Sequence, residues 1–277
     1  MAKSQLVLNR KQTYAQEEVY QHLRDLSPFY QNLTEDIVRA KNVLQVTFPE
    51  LENLLSTPTG EPYWNLVMAF PCKEFVLSLS QGELWKIIRQ STSKRIPEKP
   101  IAYLTDKLIK LAKQSFGAVK KISPMLEELR YYAQELLRLS EHRQSVLEEM
   151  VTLAQSLPEY AILLSIPGIA ETTATSIISE LGDIRRFQST NQIKAFIGID
   201  LRHYESGNFL TKEHITKRGN PSARKILFKS IHNIASTRHT NPYHIADFYE
   251  KRKRQATIAS TEQCITSLRI TNFTITL

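Results

Sequence analysis

Two stretches of this chain repeat apolar residues in alternating steps of four and three, and that rhythm constrains the fold more than any other feature. The first runs through Val19, Leu23, Leu26, Tyr30, Leu33, Ile37, Ala40 and Leu44. The second runs through Ile122, Leu126, Leu129, Ala133, Leu136, Ser140, Arg143, Leu147, Met150, Ala154 and Leu157. On an α-helix this spacing draws one narrow apolar stripe, the seam along which long helices pair. It predicts two long helices, packed as an antiparallel hairpin or against a second copy of the chain. A bundle of ordinary amphipathic helices is the plainer alternative. Ser140 and Arg143 interrupt the second stripe, as polar residues do where a seam fixes register. Pro28 lacks a backbone donor and is expected to kink or split the first helix.

Residues 57–117 have a different texture. Thr57-Pro-Thr-Gly-Glu-Pro62 is a turn cluster, and Pro71, Pro97 and Pro100 punctuate the residues after it. Short helices are expected at Gln81–Gln90 and Ile101–Phe116, as a small insertion at the tip of the long pair. Trp64, Phe70, Phe75 and Trp85 read as its core.

From Pro158 the pattern changes again. A short apolar run, Tyr160–Ile166, meets Pro167-Gly168, and a helix is expected from Glu171 to Leu181 with Gly182 as its C-cap. This is the shape of a helix-hairpin-helix motif. Gly168 permits the tight turn. The unpaired N–H groups that open the second helix can take a phosphate, which makes Gly168 and Ile169 candidate nucleic-acid contacts. A plain corner between two helices gives the same pattern. Phe196-Ile-Gly-Ile199 reads as a short strand or a buried turn. Residues 201–216 read as a hairpin loop with its tip at Ser206-Gly207-Asn208. Asn220-Pro221 opens a helix to about Thr237, with Asn as the cap and Pro at the first helical position. Residues 256–277 are rich in Thr, Ser and Ile without a clean period, and predict no particular structure.

Charge separates this half from the rest. The chain carries a net +8 and a pI near 9.4. Between Arg202 and Arg254 stand twelve Lys or Arg against four acids, so this stretch alone holds an excess as large as the whole chain's. Five of the seven histidines lie there too. Such localisation suits a polyanion, because basic side chains release counterions condensed on phosphates. A solvated basic face is the alternative. Ser206 by itself reads as a turn serine. It could attack a phosphodiester only in a strongly electropositive setting, which Lys217, Arg218 and Arg224 could supply by stabilising charge on the phosphorane. Cys72 and Cys264 allow no disulfide framework and lack zinc-site spacing, so no metal site and a reducing, cytoplasmic compartment are expected. No apolar run reaches the ~18 residues of a membrane span, and the start has no apolar signal segment.

Several of these pieces stand in one order: Ile166-Pro-Gly-Ile169, Glu180-Leu-Gly-Asp183, Phe187, Phe196-Ile-Gly-Ile199, Glu205-Ser-Gly207, and Thr216-Lys-Arg-Gly-Asn220 with Arg224. Over about residues 158–250 this order resembles the C-terminal domain of transposases of the insertion sequence 110 family, the bridge-RNA-guided DNA recombinases. Phe29-Tyr30, Arg39-Ala-Lys-Asn42 and Thr47-Phe-Pro-Glu50 resemble the region that opens that family's coiled coil. The resemblance implies a fold that is mainly α: long coiled-coil helices, then a helical transposase domain with a helix-hairpin-helix motif and a small β-hairpin or loop. It implies a transposase that joins DNA through a nucleophilic serine, here Ser206, with Lys217, Arg218, Asn220, Arg224 and Lys225 at the DNA or RNA backbone. The implied partners are DNA, a structured guide RNA and a second copy of the chain through the coiled coil, at the bacterial nucleoid and with no membrane.

The family also carries an N-terminal RuvC-like domain with four metal-binding acids. Val19 already belongs to the first heptad stretch, and Asp25, Glu35 and Asp36 lie on that helix rather than in the acidic motif. The expectation is therefore a truncated copy without autonomous activity and without a cofactor of its own, Mg²⁺ belonging to the missing domain. Supply of that domain by a separate polypeptide is a second expectation. A non-catalytic helix-hairpin-helix protein that binds DNA and dimerises, and a coiled-coil scaffold, are the alternatives. The expected segments are a first coiled-coil segment (1–56), a helical insertion (57–117), a second coiled-coil helix (118–157), the serine-bearing domain (158–254) and a divergent tail (255–277).

Overall fold

The computed structural model describes residues 17–43, 47–56, 60–92, 97–116, 121, 123–202, 205–206, 209–210 and 214–255. Among them are eleven α-helices, two short 3₁₀ turns and four two-residue strands. The fold is mainly helical, with no cis peptide bond among these residues. Leu44, Ile122, residues 57–59 and residues from 256 onward lie outside the described residues. The chain divides into two compact units, one of residues Tyr30–Ser145 and one that joins the residues up to Phe29 to those from Val146 onward. Both divisions fall inside long helices, α1 (Glu18–Val43) and α6 (Pro124–Ala154).

Helix α1 runs through Pro28 without a break. Pro28 removes one ladder bond, yet the apolar stripe on either side holds the helix together. The stripe is set one residue away from the expected one at its start: Tyr20, Leu23 and Ser27 are buried there, with Leu33 and Ile37 beyond Pro28. In α6 the buried positions follow the expected seam at Leu126, Leu129, Ala133 and Leu136. They then move to Leu139 and Val146 and rejoin the seam at Met150 and Ala154. Ser140 and Arg143 are only half-buried, so the helix spares itself two polar seam positions.

The unit of residues Tyr30–Ser145 contains a 3₁₀ turn (Pro49–Asn53), α2 (Glu61–Ala69), α3 (Lys73–Leu77), α4 (Gln81–Gln90) and α5 (Glu98–Gln114). A capping box fixes the start of α4: Ser80 accepts from the Glu83 N–H, and the Glu83 carboxylate accepts from the Ser80 N–H. Trp64 and Phe70 are core residues, as expected. Phe75 and Trp85 are not fully buried and instead face cations. Lys121 and Arg130 lie 4.7 and 5.2 Å from the Phe75 ring, and Arg89 lies 5.5 Å from Trp85.

The other unit holds α7 (Pro158–Leu164), α8 (Glu171–Leu181), a 3₁₀ turn (Ile184–Arg186), α9 (Thr190–Ile197), α10 (Pro221–Ser236) and α11 (His244–Gln255). Between α9 and α10 lie β1 (Leu201–Arg202), β2 (Glu205–Ser206), β3 (Phe209–Leu210) and β4 (His214–Ile215). β1 pairs antiparallel with β4, and β2 with β3. α10 is the central element: α8, α9 and α11 all pack on it. Ile177, Ile178, Ile193, Ile197, Ile234 and Ile245 supply much of the core.

Candidate nucleic-acid interface

The turn between α7 and α8 has the expected shape, and its glycine has a second reason to be there. Gly168 has φ +90°, and a Cβ on it would stand 2.8 Å from the backbone of Asn233 and Ile234 in α10. The turn is therefore pressed against α10, with Ile166 and Ile169 buried beside it. α8 opens at Ala170 with no side-chain cap, and the acid in its first turn is the exposed Glu171.

A second close approach sits beneath the basic residues. Phe196-Ile-Gly-Ile199 is a buried turn: α9 ends at Ile197, Gly198 takes the left-handed conformation (φ +79°), and Ile199 is buried. The backbone of Gly219 lies directly on this turn. A Cβ on Gly219 would meet the Phe196 carbonyl oxygen at 2.2 Å and the Gly198 nitrogen at 2.4 Å. Hydrogen bonds zip the two segments together. The Asn220 N–H donates to Phe196 O (2.8 Å), the Lys217 N–H to Gly198 O (3.0 Å), and the Thr216 N–H to Asp200 O (3.0 Å). Next to these bonds β1 pairs with β4, and in a separate pairing β2 lies against β3, where Ser206 pairs with Phe209. Tyr204, Gly207 and Asn208 lie outside the described residues.

Lys217 and Arg218 stand exposed on this loop, Lys217 at φ +55°. Arg224 is spent in part on the structure beneath it, since its guanidinium donates to Ile197 O at 2.7 Å. Asn220 caps α10 as expected, its carbonyl accepting from the Ser222 and Ala223 N–H groups at 2.9 and 3.1 Å. Its amide donates to the Glu180 carboxylate at 2.7 Å, and Ser27 of α1 donates to the other oxygen of the same carboxylate at 3.3 Å.

Asp183, three residues on, is buried and reaches the same helix by another route. It accepts from the Arg185 N–H and side chain, both at 2.9 Å. Arg185 donates to the Tyr20 hydroxyl at 3.0 Å, and Tyr20 in turn donates to the buried Glu159 carboxylate. Burial pushes the Tyr20 phenol well above its ordinary range, and the hydrogen bond to Glu159 adds to the rise. The hydrogen bond to Asp183, and then that to Tyr20, holds the Arg185 guanidinium above its usual value. Arg186 lies over Phe187 and Phe196, 4.5 and 4.7 Å from their rings, and desolvation lowers its affinity for a proton.

Of the exposed face of α10 the sequence pointed only to Lys225. The solvent face of α10 carries Lys225, Phe228, Lys229 and His232, all exposed. Phe228 and His232 touch edge to face at 4.8 Å. Their i, i+3, i+4, i+7 spacing was the available signal. Interleaved cations and aromatic rings on one face suit phosphates and bases together. Among the described residues no group of three or more His, Cys, Asp or Glu could hold a metal ion. No described helix is long and apolar enough to cross a membrane.

Residues 160–250 match the transposase family IS116/IS110/IS902. This stretch of the chain is thus similar to the transposase domain of that family. The transposase for insertion sequence element IS1111A of Coxiella burnetii (strain RSA 493 / Nine Mile phase I) is 34% identical over 117 residues, covering 42% of this chain and 31% of that protein. The transposase for insertion sequence element IS1328 of Yersinia enterocolitica is 27% identical over 124 residues, covering 41% of this chain and 37% of that protein. The chain spans about a third of the length of these curated relatives. The matched transposase domain runs from α7 into α11, so it contains the helix-hairpin-helix turn, the strand ladder, the basic loop and the exposed face of α10.

Proposed function

We propose that this chain acts in the transposition of an insertion element, with the loop Thr216–Asn220 and the exposed face of α10 on the DNA and Ser206 as the nucleophile. The observation that supports this most is the seat of the loop on the α9 turn, where Gly219 lies against Gly198 and the Lys217 and Asn220 N–H groups bond to its backbone. That seat fixes the loop that carries the cations Lys217 and Arg218, directly after β4. Attack by the Ser206 oxygen on a backbone phosphorus would form a phosphoserine ester and release a deoxyribose oxygen. The serine proton would pass to the leaving oxygen or to solvent. Lys217 and Arg218 would offset the charge on the phosphorane. Lys225 and Lys229 would hold flanking phosphates, with Phe228 against a base. A guide RNA, pairing with a second copy of the chain, and residence on the nucleoid extend the same reading. Divalent-metal chemistry would come from outside the described residues.

The test uses the full chain and a short fluorescent duplex of mixed sequence. Affinity is expected to fall linearly on a log–log plot against salt. K217A and R218A are each expected to reduce that slope by about 0.9 for every phosphate no longer neutralised. A denaturation-resistant protein–DNA adduct that persists in S206A would reassign the nucleophile. Salt-independent binding, or none, would remove the DNA-binding reading itself.

A further inference from the structure

Glu180 occupies an electrostatically poor place. It lies in the last turn of α8, where the carbonyl ends of the helix already gather negative charge. A carboxylate there costs α8 some stability and does nothing for its seam. Local rules broken in this way mark positions held for another purpose. The compensation lies across the unit. The half-buried carboxylate accepts from the Asn220 amide at 2.7 Å and from Ser27 Oγ at 3.3 Å. It sits beside the N-terminus of α10, where the dipole favours negative charge. We propose that Glu180 is a positioning residue that ties the pose of the loop Thr216–Asn220 to helix α1.

The Asn220 amide has two jobs that must agree. Its carbonyl must face the Ser222 and Ala223 N–H groups, which turns its NH₂ toward Glu180. Only an acceptor at that point fixes the side chain in this sense, and a donor or an apolar group would release it. Asn220 is also the residue at which the basic loop ends and α10 begins. Fixing it fixes the C-terminal anchor of Lys217 and Arg218. The other oxygen of Glu180 carries the tie to α1. Ser27 lies two helical turns from Tyr20, on the same buried face, and Tyr20 meets Arg185 and through it Asp183. The two acids of Glu180-Leu-Gly-Asp183 thus grip one face of α1 at two points. A shift of α1 along or about its axis would reach the loop through Ser27, Glu180 and Asn220. This rests on the reading of that loop as the DNA contact, but the tie itself can be tested without DNA.

The test takes the full chain as wild type, E180L, E180Q and S27A. Limited trypsin digestion reads the loop directly, because cleavage after Lys217 and Arg218 requires it to leave its seat. E180L is expected to raise the cleavage rate there about tenfold, the size expected when a charge-assisted hydrogen bond is removed. E180Q is expected to retain most of the protection. Its carbonyl accepts from Asn220, and the Ser27 hydroxyl can turn to accept from its NH₂. S27A is expected to raise cleavage a few-fold at this loop. Urea midpoints of the same variants separate loop release from general unfolding, and rescue by Gln is an outcome that a purely structural charge would not give. Equal cleavage in E180L and wild type, or a rise matched by every other site in step with the urea midpoint, would overturn the proposal. Binding to the fluorescent duplex is then measured. Weaker binding by E180L with a reduced salt slope supports the tie as a DNA-binding device. Unchanged binding despite loop release overturns that use of the tie. A wild-type chain that binds no duplex removes the proposed function, while the digestion result still decides the tie.

Discussion

Replacing Gly219 by Ala should damage the unit that holds it far more than the size of a methyl group suggests. Its Cβ would stand 2.2 Å from Phe196 O, 2.4 Å from Gly198 N and 2.5 Å from Ile197 C. All three are backbone atoms at the end of α9, so no side chain can swing aside. Overpacking of this kind costs about 1–3 kcal/mol. Relief requires the loop to lift off the turn, which breaks the Lys217 and Asn220 bonds to Gly198 and Phe196, at about 1 kcal/mol each. The total comes to about 3 kcal/mol, or a fall of about 1.5 M in urea midpoint at ~2 kcal/mol per molar. Two probes locate the damage. Both tryptophans, Trp64 and Trp85, lie in the other unit, so far-UV circular dichroism must shift more than tryptophan emission. G82A is the control, because nothing lies within 4 Å of its Cβ. It should be neutral or slightly stabilising. A G219A midpoint within a few tenths of a molar of wild type would refute the steric argument.

The other predictions concern the α1 tie and the DNA surface. Y20F removes the hydroxyl that donates to the buried Glu159 carboxylate and should cost about 1–3 kcal/mol. Ionisation of Tyr20 is disfavoured in the folded chain, so its contribution is complete below about pH 10 and declines as pH rises further. Y20F should therefore show a shallower loss of stability above pH 10 than wild type, and an equal loss would argue against the raised phenol. The double variant K225A/K229A should flatten the salt dependence of duplex binding by about 0.9 for each phosphate no longer held, while an unchanged slope would take the α10 face off the DNA. F228A should weaken single-stranded DNA binding by about 1–3 kcal/mol with its slope unchanged. E171Q should tighten duplex binding several-fold if a phosphate sits on the first turn of α8, and leave it unchanged if none does.

The parts of the fold that follow local rules were legible in the sequence. Gly182, Asn220 and Pro221 mark helix ends through backbone chemistry that acts within a few residues, and the structure has α8 and α10 where these marks set them. The antiparallel pairing of β1 with β4 and of β2 with β3 was visible for the same reason. The stripe of α1 was displaced because Tyr20 and Ser27 are polar, and a pattern of apolar residues cannot register a serine that is buried to bond a distant carboxylate. α9 and α11 were missed on related grounds. Among its described positions α11 buries Ile245, Ala246 and Tyr249 before a run of charge takes over, too short a stripe to show a period. At the candidate site, the basic residues were legible one by one. The contact of Gly198 with Gly219 was not, since nothing in either segment names its partner about twenty residues away. Glu180 stands out in the sequence only as part of its motif, and its role appears only where α1, α8 and α10 meet.

The two helix starts in this domain divide the work of meeting an anion unequally. At α10 the Ser222 and Ala223 N–H groups are already satisfied by Asn220, so the positive end of that helix is closed to a phosphate. Positive charge there comes from side chains, Lys217 and Arg218 before the helix and Lys225 on it. At α8 no side chain caps the first turn, which leaves the Glu171 and Thr172 amides for an outside acceptor, but Glu171 places a carboxylate beside them. The uncapped start thus carries an acid, and the capped start is surrounded by cations. Helix-dipole binding is favourable by a few tenths to about 1 kcal/mol at an exposed terminus, and a neighbouring carboxylate works against it. Lysine and arginine contacts add a counterion-release contribution for every phosphate. The balance favours the cations of the loop and of α10 as the main source of affinity. The α7–α8 turn then serves chiefly to seat Gly168 on α10, and with it the helix that presents those cations.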